Sequence, residues 1–113
     1  MEWEKVRCPI CRSEHCTKRQ FEASFLEFVC AKCTAFTMHE EILHNLYRLL
    51  KKEDRDKVSA AIKHHFEDLG ARIKIVVWHG KNPDSGVKEK TISELIREGG
   101  AILRGLAGRP RTA

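Results

Sequence analysis

The sequence predicts an α+β fold in which a small metal-bound β-hairpin lobe precedes two helices, one strand and a final helix. Three observations carry that prediction. Two CxxC pairs, Cys8/Cys11 and Cys30/Cys33, flank eighteen residues with the composition of a hairpin. Apolar residues recur at helical spacing from Ile42 to Leu69. A short alternating β-branched run, RIKIVVW, then follows at Arg72–Trp78.

Taken in order, TKRQF and FLEFV around the EAS link read as two strands and a turn. Thr37-Met38-His39-Glu40 has the form of a capping box, which places a helix start at Thr37. Ile42, Leu43, Leu46, Leu49 and Leu50 give that helix an apolar face through about Lys52. The EDRD run turns the chain. Val58, Ala61, Ile62, His65, Phe66 and Leu69 then form a second stripe that ends at Gly70, a suitable C-cap. Helices joined by so short a connection are expected to pack antiparallel. The strand at 72–78 needs a partner, either the hairpin, a second copy of the chain or residues outside this chain, and HGKNPDSG after it is a turn. Thr91-Ile92-Ser93-Glu94 repeats the capping-box form and opens the last helix. Gly99-Gly100 weakens it by roughly 1 kcal/mol per glycine relative to alanine, so a break is expected there, before a disordered GRPRTA tail. The segments are therefore 1–36 for the metal lobe, 37–70 for a helical hairpin packed on it, and 71–113 for the strand, turn and C-terminal helix with its basic tail.

The 113 residues suit one domain rather than two independent cores. A chain 42% hydrophobic and 33% charged is globular, with no stretch apolar enough to cross a bilayer and no apolar run of a secretory signal at its N-terminus. A cytoplasmic location and no membrane partner are the expectation. In a reducing compartment paired cysteines are metal ligands or redox centres more often than disulfides. The net charge of +5 is uneven: residues 1–36 hold six basic and five acidic groups, 37–70 six and seven, 71–113 nine and four. Four zinc-bound thiolates would lower the total to about +3.

Zn²⁺ takes four soft ligands in a tetrahedron, and a CxxC turn lets two sulfurs converge on one ion while the hairpin brings the second pair to it. Cys8, Cys11, Cys30 and Cys33 are the expected ligands of one structural zinc per chain. Zinc-binding free energy on the order of 10–16 kcal/mol exceeds what so small a lobe supplies itself, so folding and metal binding are expected to be coupled. Cys16 reads as a small buried hydrophobe and His15 as a solvated loop residue. Iron would accept the same four thiolates. A dithiol redox protein is the alternative reading, but it calls for a thiol at a helix N-terminus, and neither pair clearly opens a helix.

The CPIC and CAKC pairs and their spacing resemble those of four-cysteine zinc ribbons, over roughly Cys8 to Cys33. The resemblance implies a zinc-ribbon hairpin and metal binding rather than any one biological process. Ribbons often place glycine after the second cysteine of each pair; here Arg12 and Thr34 stand there. With Phe36-Thr37-Met38 and the two helices that follow, the chain is also similar to N-terminal zinc-ribbon modules of uncharacterised bacterial proteins, some of them accessory or defence-associated.

HEEILH, His39–His44, fails as a zinc-protease motif because its histidines are five residues apart and Leu43 occupies the required position. On a helix, neighbouring His64 and His65 diverge by about 100°. No residue set supports catalysis, and no enzyme activity is expected. The function expected is a zinc-ordered recognition module for nucleic acid or a nucleic-acid-associated protein. Lys18, Arg19, Lys32, Arg72 and Lys74 are the candidate phosphate contacts, joined later by Lys81, Lys88 and Lys90, with Phe21 and Trp78 available to stack on bases if exposed. The plain alternative makes the charges solvated faces and the aromatics core. The strand at 72–78 is the candidate edge for homo-oligomerisation.

Overall fold

Six strands in sequence order form one mixed sheet in the computed structural model, which describes residues 3–78 and 87–108. β1 (Glu4–Val6), β2 (Cys16–Glu22), β3 (Phe25–Cys30) and β4 (Thr34–His39) form an antiparallel meander. β5 (Arg72–Ile75) joins β4 in parallel and β6 (Val87–Lys90) joins β5 in parallel. Both edges of β5 are thus taken up within the chain, so the edges of the described sheet are β1 and β6 rather than the 72–78 strand. The sequence reading missed β6, a run of VKEK with charge at three of its four positions.

Period-two alternation sends Phe28, Phe36, Met38, Ile73 and Ile75 to one face, where they are fully buried with Ile42, Leu46, Leu50, Val58, Ile62, Ile92 and Leu95. That face carries the helices: α1 (Glu40–His44), α2 (Leu46–Leu49), α3 (Arg55–Lys63) and α4 (Ile92–Gly108). α3 packs chiefly on α4. A β-bulge between Gln20 and Glu22 inserts Phe21 into β2 next to the hairpin turn.

Several boundaries differ from the sequence reading. Thr37 does not cap a helix; Thr37, Met38 and His39 lie in β4, between two hydrogen-bonded neighbours. Pairing on both sides overrides the local capping signal. α1 starts at Glu40, and His39 caps it by accepting from the Glu41 N–H at Nδ1, 3.1 Å away. The first helix breaks at Asn45, and the first half of EDRD ends a 3₁₀ turn at Lys52–Asp54 while its second half, Arg55-Asp56, opens α3. At His64–Asp68 the helix widens to a π turn, which shifts the stripe so that His65 is buried but Phe66 and Leu69 are exposed. Gly70 ends the segment at φ +68°, in the left-handed region glycine tolerates.

The capping box at Thr91 forms as expected: the Glu94 N–H donates to Thr91 Oγ1 at 3.2 Å and the Thr91 N–H to Glu94 Oε1 at 2.9 Å. The expected break at Gly99-Gly100 is absent, and α4 continues through it. Gly99 is the point of closest approach to α3, where a Cβ would stand 1.7 Å from the Lys57 carbonyl oxygen. The HGKNPDSG turn, Lys81 included, lies outside the described residues, as does the tail from Arg109 onward.

Candidate metal centre

Two tight turns at one end of the sheet bring the cysteine pairs together. In the first, between β1 and β2, the Cys8 N–H donates to the Ser13 carbonyl at 2.8 Å and the Arg12 N–H to the Cys8 carbonyl at 2.9 Å. In the second, between β3 and β4, the N–H groups of Lys32 and Cys33 both point at Cys30 Sγ, 3.4 Å away. The backbone N–H groups of Ile10 and Cys11 lie near enough to Cys8 Sγ to favour its thiolate as well. Four dipoles aimed at two sulfurs favour thiolates. Arg12 and Thr34, standing where ribbons often have glycine, adopt φ +68° and +72°, so the turns keep the left-handed step without the residue that makes it free of strain.

Cys8, Cys11, Cys30 and Cys33 place their Sγ atoms within 4.8 Å of one another, with Cys8–Cys33 at 3.9 Å and Cys11–Cys30 at 3.5 Å. For a zinc–sulfur bond of about 2.3 Å the edge of a tetrahedron is about 3.8 Å, so the four sulfurs are spaced to hold one metal ion. Cys8, Cys30 and Cys33 are buried and Cys11 is partly exposed. The donor set itself calls for a cation. A hydrogen bond from Cys33 holds the Cys8 thiol down at about 5, while that same contact, together with burial, pushes Cys33 far above the ordinary thiol value. Burial raises Cys11 to about 11. Four sulfurs this close cannot all ionise unless positive charge sits among them.

α3 completes the centre from the helical side, which the sequence reading missed. Arg55 Nη1 donates to the carbonyls of Pro9 and Ile10 at 3.1 and 3.0 Å, clamping the first turn, and Ser59 Oγ lies 3.2 Å from Cys33 Sγ. The available signal was Ser59 itself, a hydroxyl set inside the apolar run between Val58 and Ala61. Cys16 is buried beside the cluster and outside it; burial raises its thiol, and its Sγ contacts the Thr17 carbonyl. His15 is exposed on the first turn.

Among the described residues no other group of three or more candidate ligands converges. His39 serves as a cap, His64 pairs with Asp68 at 2.8 Å, and His65 Nε2 lies 2.9 Å from Glu98 Oε1.

The candidate phosphate contacts do not form one patch. Lys32 sits on the second metal turn, paired with Asp56 at 3.0 Å, and Lys18 faces Glu4 at 4.0 Å. Arg19, Arg72 and Lys74 share the face of the sheet that no helix covers. There Arg19 and Arg72 meet the buried Glu27 carboxylate at 2.9 and 3.4 Å, and Lys74 meets Glu22 at 3.3 Å. Lys90 pairs with Glu98 on the helical side. Phe21 and Trp78 are both exposed. No described helix is long and apolar enough to cross a membrane. Compared with family models, curated proteins and solved structures, the chain matches none.

Proposed function

We propose that this chain is a non-catalytic recognition module, ordered by one structural zinc ion, whose partner is nucleic acid or a nucleic-acid-associated protein in the cytoplasm. The observation that carries the reading is the closed set of four sulfurs within 4.8 Å, three of them buried. Four thiolates fill the tetrahedron that zinc prefers and leave no position for a water nucleophile or a substrate oxygen, which a hydrolytic zinc site requires. Soft ligands of this kind favour zinc over harder divalent ions, and five cysteines free of disulfides suit a reducing compartment. The same convergence argues against a dithiol redox protein, since neither pair stands apart with a thiol at the N-terminus of a substantial helix. A metal placed at the end of a sheet rather than in a cleft supports a role in holding a surface.

Metal analysis with thiol titration tests the structural part. One zinc per chain, with four thiols protected until denaturation, is the expected result; four freely reactive thiols in the folded protein overturn it. A salt series with single- and double-stranded oligonucleotides tests the partner. Affinity that falls steeply with salt supports phosphate contacts, and no binding at low salt assigns recognition to a protein.

A further inference from the structure

We infer that the helix-free face of the sheet is a platform for single-stranded nucleic acid, in which bases stack on cation-capped aromatic rings contributed by Trp3, Phe21 and Phe25. The inference rests on the recognition reading above and names its surface and ligand class.

Three pairs of the same kind lie on this one face. The Arg19 guanidinium carbon is 4.6 Å from the Trp3 ring centroid, that of Arg72 is 5.4 Å from Phe21, and Lys74 Nζ is 4.4 Å from Phe25. Strand register explains their gathering. Arg19, Glu27, Thr37, Lys74 and Glu89 form one cross-strand row, and the alternate row of Phe28, Phe36 and Ile73 points into the core. Phe21, inserted by the bulge, and Trp3, just before β1, are 40% and 42% exposed, so their rings are available without unpacking the core.

The electrostatics suit a polyanion. One buried carboxylate, Glu27, serves two guanidiniums, and Glu22 meets Lys74; with Lys5 and Glu89 the face carries four basic side chains against three acidic ones. Arg72 Nε, itself buried, has no hydrogen-bond partner among the described residues. A guanidinium centred over a ring and bound to a carboxylate gives a nucleobase a cationic surface to stack on, and its exposed N–H groups suit phosphate. Stacking of this type needs unpaired bases, whose faces a duplex hides, and therefore selects single strands. Six strands at about 4.8 Å spacing give a surface roughly 24 Å across, wide enough for several nucleotides.

The test is fluorescence anisotropy with labelled single-stranded 12-mers, as DNA and as RNA, and with the matching duplex, using the zinc-loaded full chain at low salt. Trp3→Ala and Phe21→Ala are each expected to weaken single-strand binding by about tenfold or more. Lys63→Glu, which reverses a charge on the exposed side of α3, should change it by less than about threefold. Zinc content and melting midpoint identify variants that remain folded. A Trp78→Phe protein provides a second reading in the unperturbed face, because Trp3 is then the sole indole and its fluorescence should be quenched as the strand binds. Single-strand binding that leaves Trp3 unquenched and is indifferent to Trp3→Ala and Phe21→Ala overturns the platform while nucleic-acid recognition stands. Tighter binding of the duplex also overturns it. No binding of any oligonucleotide removes both the platform and the nucleic-acid reading.

Discussion

Replacing Gly99 and Gly100 one at a time with alanine separates helix propensity from helix packing, because Gly99 meets the backbone of Lys57 whereas Gly100 meets only flexible side chains. A methyl group at Gly99 would stand 1.7 Å from the Lys57 carbonyl oxygen and 2.3 Å from its carbon. An ordinary contact of this type is about 3.4 Å or more, so α3 and α4 must part by roughly 1.7 Å. The obstacle is backbone and cannot rotate away. Overpacking costs about 1–3 kcal/mol, and the upper end applies where the whole helix must move; alanine's helix preference offsets about 1 kcal/mol. Gly99→Ala should therefore destabilise by about 2 kcal/mol. At Gly100 the nearest neighbours of the added methyl are the flexible tip of Arg104 at 3.4 Å and the Lys57 side chain at 3.8 Å, so Gly100→Ala should stabilise by about 0.5–1 kcal/mol.

The two variants should thus differ by about 3 kcal/mol in urea unfolding, or by roughly 10 °C in Tm for a chain of this size. Free zinc is held constant, since anything that binds the folded state alone shifts the apparent stability. Gly99→Ala unfolding at or above the wild-type midpoint would show that the α3–α4 approach is not the reason for glycine there. Equal gains from both substitutions would assign both glycines to propensity alone.

Three other outcomes follow from the site and its surroundings. Ser59→Ala removes the hydroxyl beside Cys33 Sγ and should speed metal loss to a chelator about tenfold, measured with a chromogenic chelator; an unchanged rate refutes a role for α3 in holding the metal. Arg12→Gly and Thr34→Gly relieve left-handed backbone at a cost in unfolded-chain entropy and should change stability by no more than about 1 kcal/mol, whereas Arg12→Val should be clearly worse; thermal melting decides. Burial alone would raise the Glu98 carboxyl, but hydrogen bonds from Lys90 and His65 outweigh it and hold it below the ordinary glutamate range. Its stabilising contribution is accordingly present above the unfolded value of about 4.3 and lost as pH falls through the lower folded value. Carboxyl NMR should show that low midpoint, and Lys90→Met should raise it; a midpoint at or above the ordinary value refutes the pairing.

What was legible in the sequence were the features fixed by local chemistry. The sulfur pairs, the Thr91 capping box and the Gly70 stop each depend on residues close together in the chain, and each forms where the pattern places it. The other features depend on distant partners. Thr37-Met38-His39 carries a good capping signal, yet β3 and β5 claim its backbone from either side. Gly99 reads as a weak point until Lys57 is known to pass against it. The π turn at His64–Asp68 adds a residue to the helical period, which no count of apolar spacing anticipates, and moves Phe66 and Leu69 out of the core. Of the five candidate basic residues, only the sheet register showed that Arg19, Arg72 and Lys74 share a face while Lys32 does not.

α3 links these parts physically. Arg55 and Ser59, in its first turns, hold the cysteine turns; Lys57, between them, meets Gly99 of α4; and His65, just beyond its end, is bound to Glu98 of α4. On the sheet side, β4 begins at the second cysteine turn and pairs directly with β5. Metal removal should therefore not melt a hairpin lobe while leaving the rest intact. Without the cation, four crowded thiols lose the charge that allows them to ionise together, Arg55 loses the fixed carbonyls it clamps, and the anchored end of α3 is released from the turns. Far-UV circular dichroism, dominated by the helices, and zinc release to a chelator should then follow one transition with a common midpoint. If the helical signal survived complete removal of the metal, the coupling through α3 would be wrong, and the cysteine turns would be a local staple rather than part of the cooperative core.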